Sequence, residues 1–237
     1  MFNKLEIIKN STAVIFGSSG GIGNAISNIL TNQVYFDNVI NFHKTSSFPF
    51  DITNEKSIIN VKNMLSEVKP KIRFIINATG YLHDDTFMPE KSFKNINVDY
   101  LTKCFFINTI GPALLVKHLV PILPNEEKCF FINLSARIST ISHNSLGGWY
   151  GYRSSKAAAN QIFKTLSVEL IRKKSKILCV SVHPGTVITN LSRPFSKNNL
   201  NSITPEQSVI KILTMLSKLD QTHNGRLIDY NGNIIPF

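Results

Sequence analysis

Between residues 12 and 30 a strand, a glycine-rich turn and a helix follow one another without a gap, and few folds accept that order. Residues 12 to 16, Thr-Ala-Val-Ile-Phe, are a short apolar, β-branched run of the kind that forms a buried parallel strand. Gly17-Ser18-Ser19-Gly20-Gly21-Ile22-Gly23 comes next, and Ala25, Ile26, Ile29 and Leu30 then recur at helical spacing. Each glycine has a separate use: a tight turn, bare backbone against which a pyrophosphate can lie, and close packing of the helix on the sheet. A glycine turn can also form with no nucleotide at all. The spacing Gly-x-x-x-Gly-x-Gly is one residue longer than the commonest dinucleotide-binding pattern, which narrows the choice.

The rest of the chain repeats this alternation. Strands are expected at 39–42, 73–76, 129–134, 177–182 and 226–229, and helices through Ile58 to Leu65, over 97–120, from Tyr152 to about Arg172, and over 205–217. There are no repeats, low-complexity tracts or linkers. The expected fold is α/β, a doubly wound parallel sheet (a Rossmann fold) in a single domain spanning 1–237, with a polar loop at about 184–204 available to cover a substrate. Ligands of such sheets bind at the carboxyl ends of the strands, so the site is expected at that edge.

Composition removes several alternatives. The 43% hydrophobic and 17% charged residues are those of a globular chain. No signal-peptide pattern opens the sequence and no run of 18 uninterrupted apolar residues follows, so a cytoplasmic protein with no membrane partner is expected. Cys104, Cys129 and Cys179 are odd in number and set in apolar surroundings, which suits buried thiols. The six histidines show no metal-ligand spacing, so no metal is expected. Lys and Arg (26) exceed Asp and Glu (15), giving +11, yet the basic residues are scattered apart from Arg172-Lys173-Lys174 and Lys176 at a helix end. That argues against a nucleic-acid partner, and a positive field also suits a phosphorylated cofactor.

The chemistry is concentrated in Tyr152-Arg153-Ser154-Ser155-Lys156. Four residues apart on a helix, a phenol and an ammonium share one face, and the cation is expected to lower the phenol pKa. Such a pair can hand a proton to a carbonyl oxygen. In the helix over 97–120, Pro112 has no N–H, so the carbonyl of Asn108 loses its helical partner and needs another. At the end of the second strand stand His43 and Lys44, with no acid before Asp51. A carboxylate there would repel a ribose 2′-phosphate, whereas Lys44, helped by His43 and by the hydroxyls of Ser18 and Ser19, attracts one, so NADP is expected in preference to NAD. Asp51 is also placed to cap the following helix.

With Gly17-x-x-x-Gly21-Ile22-Gly23, Asn77-Ala78-Thr79-Gly80, Ser135, Tyr152-x-x-x-Lys156 and Pro184-Gly185 in this order, the chain resembles the short-chain dehydrogenase/reductases over essentially its whole length. Asn108-Thr109-Ile110-Gly111-Pro112, Leu146-Gly147-Gly148-Trp149-Tyr150 and His183-Pro184-Gly185-Thr186 resemble the branch containing C-factor and the sniffer-type carbonyl reductases. The resemblance implies a catalytic tetrad of Asn108, Ser135, Tyr152 and Lys156. Tyr152 would protonate the carbonyl oxygen as hydride arrives from the nicotinamide, Lys156 would hold the nicotinamide ribose, and Asn108 would place a water leading to solvent. It also implies cofactor contacts from Asp51 near the adenine, Asn77 and Gly80 at the third strand end, and Val187 and Thr189 beside the nicotinamide amide. One departure is Ser135-Ala136, where members commonly have two serines. Ser139, at the family's usual 13 residues before the tyrosine, stays open as the alternative to Ser135. A second departure is Phe16, where a threonine is usual. The implied function is an NADP-dependent oxidoreductase acting on a small carbonyl or alcohol, with a cofactor-binding signalling protein of incidental chemistry as the other reading. The apolar helix over 97–120 has more apolar surface than one sheet face can bury, so a homodimer or homotetramer is expected.

Overall fold

The computed structural model describes residues 10–33, 35–195 and 201–237. Strands β1 (Thr12–Phe16), β2 (Asn38–Phe42), β3 (Ile72–Asn77), β4 (Cys129–Leu134), β5 (Ile177–His183), β6 (Leu227–Asp229) and β7 (Ile234–Ile235) form one sheet in the order β2-β1-β3-β4-β5-β6-β7. Five of the pairings are parallel, and β7 pairs antiparallel with β6 as an edge strand that the sequence did not announce. The chain passes from β1 to β2 on one side and then returns to β3 on the other. The crevice between the carboxyl ends of β1 and β3 is therefore the switch point of the sheet.

Alternation along each strand divides the core into two layers. Ala13 and Ile15 of β1 face the same side as Phe130 and Ile132 of β4 and Leu178 and Val180 of β5. There they meet α1 (Gly21–Asn32) through Ala25, Ile26 and Leu30, and α6 (Pro205–Leu216) through Val209, Ile212 and Leu216. Val14, Phe16, Phe131 and Cys179 point the opposite way. They pack on α2 (Glu55–Ser66), on Leu115 and Leu119 of α4 (Gly111–Leu119), and on Phe163, Leu166 and Leu170 of α5 (Tyr150–Arg172). All three cysteines are buried free thiols.

The helix expected over 97–120 is not continuous. Asn97 caps α3 (Val98–Phe105) by accepting from Tyr100 N, a π-helical turn spans Phe106–Ile110, and α4 follows. Pro112 has no N–H to return to Asn108, and the backbone widens at that point, with Gly111 N bonding to Phe106 O. By length and composition alone, Val98–Ile122 could cross a membrane; here α4 packs on α2 and the π turn on α5. The cap of α2 is Asn54, whose side chain accepts from Lys56 N, and not Asp51 as expected. Asp51 instead accepts from Thr53 N and Thr53 Oγ1, one turn earlier.

Candidate active site

The carboxyl edge of the sheet carries a groove made of two adjoining cavities that share Ser19, Gly20, Ala78, Thr79 and Gly80. The outer one, about 430 Å³, is lined by Gly17, His43, Lys44, Phe50, Asp51, Ile52 and Tyr81 among others. The inner one, about 250 Å³, is bounded by Gly21, Ile22, Gly23, Ser135, Tyr152, Lys156, Pro184 and Thr189.

The glycine turn leaves no room for side chains. Gly17 sits at φ +81°, and a Cβ there would come within 2.8 Å of Thr79 N. At Gly23 a Cβ would stand 2.2 Å from Gly17 O. The N-cap of α1, Gly20, offers no side-chain acceptor to the first-turn N–H groups. Bare donors at the positive end of a helix dipole suit the pyrophosphate of a dinucleotide, so the residues present fit that group. Not every expected contact reaches the groove. Ser18 turns its hydroxyl to Phe42 O (3.5 Å), leaving Ser19 as the exposed hydroxyl. Asn77 is buried: its Nδ2 donates to Asn133 Oδ1 (2.8 Å) and its Oδ1 accepts from Thr79 N and Oγ1, so it braces the Thr79–Gly80 floor from below. Val187 is 3% exposed and bridges to Ile203, while Thr189 overhangs the turn, 2.7 Å from where a Gly21 Cβ would be. Gly185, at φ +90°, lies against the Tyr230 ring. Residues 196–200 of the expected substrate loop lie outside the described residues.

In the outer cavity the Asp51 carboxyl is pulled two ways. Burial acts to raise its pKa, but the Thr53 hydrogen bonds and the charge of Lys44 outweigh burial and hold it below the usual value. His43 stands beside Lys44, with Nδ1 3.2 Å from Thr45 Oγ1.

The inner cavity is organised by α5, which places Tyr152 and Lys156 on one buried face. Lys156 donates to Leu134 O (2.9 Å), and burial pulls its amine down to about 8. Its Nζ is 6.0 Å from the centre of the Tyr152 ring. The sequence expectation that this cation lowers the phenol pKa is not met in the unliganded chain. Tyr152 is so enclosed that desolvation prevails and pushes the phenol up, leaving it a neutral O–H at physiological pH. Asn108 is bonded on both sides: Oδ1 accepts from Tyr81 N (2.8 Å), and Nδ2 donates to Tyr81 O (2.9 Å) and Ser155 Oγ (3.1 Å). A Cβ on Gly80 would lie 3.6 Å from Lys156 Nζ and 3.8 Å from Asn108 Oδ1, so these three residues meet at one point. Ser135 lines the cavity, and its Oγ donates to Asn160 Oδ1 (2.7 Å). Ser139 is buried and is not among the residues bounding the cavity; its Oγ donates to Ala136 O (2.6 Å).

Sequence reasoning missed two residues here. Asn160 lies two helical turns after Tyr152 and one after Lys156, so helical spacing alone could have found it. Glu90 carried no local signal. Its carboxylate accepts from Gly151 N with both oxygens (3.1 and 3.2 Å) and its carbonyl from Trp149 N (2.6 Å), which caps the start of α5. Trp149, the N-cap, is in the left-handed region (φ 54°) after Gly147 and Gly148 at φ 64° and 66°. This turn directs the Trp149 ring onto Tyr152 (6.2 Å between centres) and Phe195 (4.8 Å), and His83 also packs on Phe195 (5.5 Å).

The family model for short chain dehydrogenases matches residues 38–200. Among curated proteins, the chain is 26% identical over 236 residues to 1-hydroxy-2-glutathionyl-2-methyl-3-butene dehydrogenase of Rhodococcus sp., covering 96% of this chain and 100% of that protein. It is 29% identical over 143 residues to the C-signal protein of Myxococcus xanthus, covering 60% and 82%. Among solved structures, the NADPH-bound carbonyl reductase from chicken fatty liver superposes with a TM-score of 0.84 at 21% identity, covering 100% of this chain and 97% of that one. The carbonyl reductase Sniffer of D. melanogaster superposes with a TM-score of 0.78 at 21% identity, covering 97% and 100%. The superpositions agree with the fold.

Proposed function

The chain belongs to the short-chain dehydrogenase family and is an NAD(P)-dependent oxidoreductase, and from that premise we propose that it is an NADP-dependent carbonyl reductase of the cytoplasm. The observation that carries the reading is the meeting of Tyr152, Lys156 and Ser135 in the cavity that the glycine turn also bounds. Gly17, Ser19, Gly21, Ile22 and Gly23 would hold the pyrophosphate, Asp51 and Ile52 the adenine end, and Gly80, Pro184, Gly185 and Thr189 the nicotinamide end. His43 and Lys44, which line the outer cavity together, would receive a 2′-phosphate.

Bound in this groove, a reduced nicotinamide would supply a hydride to the substrate carbonyl carbon. The chain's own part is the proton. Tyr152, held neutral by burial, donates its O–H to the carbonyl oxygen as negative charge develops there. The phenolate left behind is favoured by the buried Lys156 ammonium, and a lysine poised near 8 can give up a proton in turn. Asn108 fixes the Tyr81 backbone beside this pair, and its carbonyl, deprived of Pro112 as a donor, is the place for a water leading out to solvent. Trp149 packs on Tyr152 and on Phe195, and His83 packs on Phe195, an aromatic cluster beside the acid that favours an aromatic or apolar carbonyl compound as substrate.

The test is NADPH oxidation, followed by absorbance, against a panel of aldehydes, ketones and quinones. Turnover is expected on aromatic members, and Tyr152→Phe should lose ~10²- to 10⁴-fold in kcat while keeping its affinity for NADPH. Retention of more than about a tenth of wild-type turnover would remove Tyr152 as the acid.

A further inference from the structure

Ser135 and Ser139, which the sequence offers as rivals, are joined through a third residue. The Ala136 carbonyl can only accept, and Ser139 Oγ donates to it at 2.6 Å. With its proton committed, Ser139 Oγ is left as the acceptor for Asn160 Nδ2 at 2.7 Å. The sense of the Asn160 amide is then fixed, with Oδ1 facing Ser135, and Ser135 Oγ donates to it at 2.7 Å. All three side chains are nearly sealed from solvent, at 4%, 2% and 3% exposure for Ser135, Asn160 and Ser139. A wrongly oriented partner in such a place leaves a buried polar atom unpaired, so the relay has one favoured direction.

We propose that Asn160 is a positioning residue for the reaction, which holds the Ser135 hydroxyl at the cavity wall in a single rotamer by accepting its hydrogen bond, while Ser139 and the Ala136 carbonyl lock the amide. The inference rests on the reductase reading given above. It has a chemical consequence: the Ser135 hydroxyl is held at the cavity wall with its proton on Asn160 Oδ1, and it can reach a substrate carbonyl oxygen by turning about its Cβ–Oγ bond without moving the oxygen. The serine missing at Ala136 is thus not replaced by Ser139 as a donor; Ser139 serves as the latch.

A double-mutant cycle tests this, with kcat and KM measured on an aromatic aldehyde and NADPH. Ser135→Ala and Asn160→Leu should each lower kcat by about tenfold with the KM for NADPH unchanged. Combined, they should lose no more than Ser135→Ala alone, because the amide acts only through the serine. Asn160→Asp keeps an acceptor for Ser135 but offers no donor to Ser139, so it should recover part of the activity lost in Asn160→Leu, which also covers failure of Asn160→Leu to fold. Losses that multiply in the double variant would overturn the proposal by showing that Asn160 supports the fold and not the serine. So would a Ser135→Ala variant with full activity, or an Asn160→Asp variant as impaired as Asn160→Leu. A Tyr152→Phe variant that stays active strikes instead at the reductase reading; an inactive one with a multiplying cycle removes the Asn160 role only.

Discussion

Lys156 carries its charge where burial opposes it, and this makes cofactor binding dependent on pH. Its folded-state amine titrates at about 8, below the ordinary 10.5, so in the free protein the charge is lost as pH rises through that point. An anionic cofactor favours the protonated amine and raises its pKa in the complex, so affinity is full below the free-state value and declines above it. The Kd for NADPH is expected to be flat from about pH 6 to 7.5 and then to weaken by up to about tenfold per pH unit, as fluorescence titration would measure. Lys156→Met should bind weakly with no such slope over this range. A slope in the variant equal to the wild type would place the titrating group elsewhere. Lys44 is the second residue whose charge decides something. It lines the outer cavity and acts on Asp51 across it. Lys44→Asp should weaken NADPH by about tenfold or more, the range of one charge-assisted hydrogen bond, and leave NADH unchanged or tighter. Equal losses for the two cofactors would show that Lys44 does not meet the 2′-phosphate.

Elements were legible in the sequence wherever their cause is local. The glycine turn could be read because Gly23 excludes a Cβ by contact with Gly17 and Ser18, six and five residues before it, whereas the crowding at Gly17 comes from Ala78 and Thr79 and is not local. The strand positions followed from apolar runs that both helical layers bury, and β1 and β4 agree with the expected bounds to the residue. Lys156 could be placed beside Tyr152 because a helix enforces it. What stayed hidden depends on distance. Nothing near Glu90 says that it will cap a helix beginning 60 residues later, and nothing in Gly147-Gly148-Trp149 says that all three residues will take positive φ. Pro112 did signal a disturbed carbonyl at Asn108, but not that the backbone would answer with a π turn dividing one helix into α3 and α4. β7, two residues long, exists only because β6 offers an edge. Asp51, expected near the adenine, could by its residue type also have served as the cap of the following helix. Asn54, three residues on, took that role instead and left Asp51 to Thr53 and the groove.

At the scale of the whole molecule, the question is what covers the outer side of the helical layer over β4 and β5. The π turn leaves Phe106 43% and Ile110 39% exposed, and α5, which packs on that turn, leaves Val168 42% and Ile171 51% exposed. A single sheet face cannot reach them, and a second copy with the same patch can, through a two-fold interface. Charge opposes this association. Each chain carries +11, so two copies repel over a Debye length, about 10 Å at 0.1 M salt. Apolar contact with like-charge repulsion around it gives an association that strengthens as salt rises, the opposite of a complex held by ion pairs. Sedimentation at micromolar concentration is therefore expected to give a dimer, twice the 26.6 kDa of the chain, or a tetramer, with the fraction associated increasing between about 0.05 and 0.5 M salt. Phe106→Glu together with Ile171→Lys should return the protein to a monomer and leave turnover intact, since neither residue bounds the groove. A mass of one chain at every salt concentration would defeat the expectation and leave these four side chains as ordinary exposed residues.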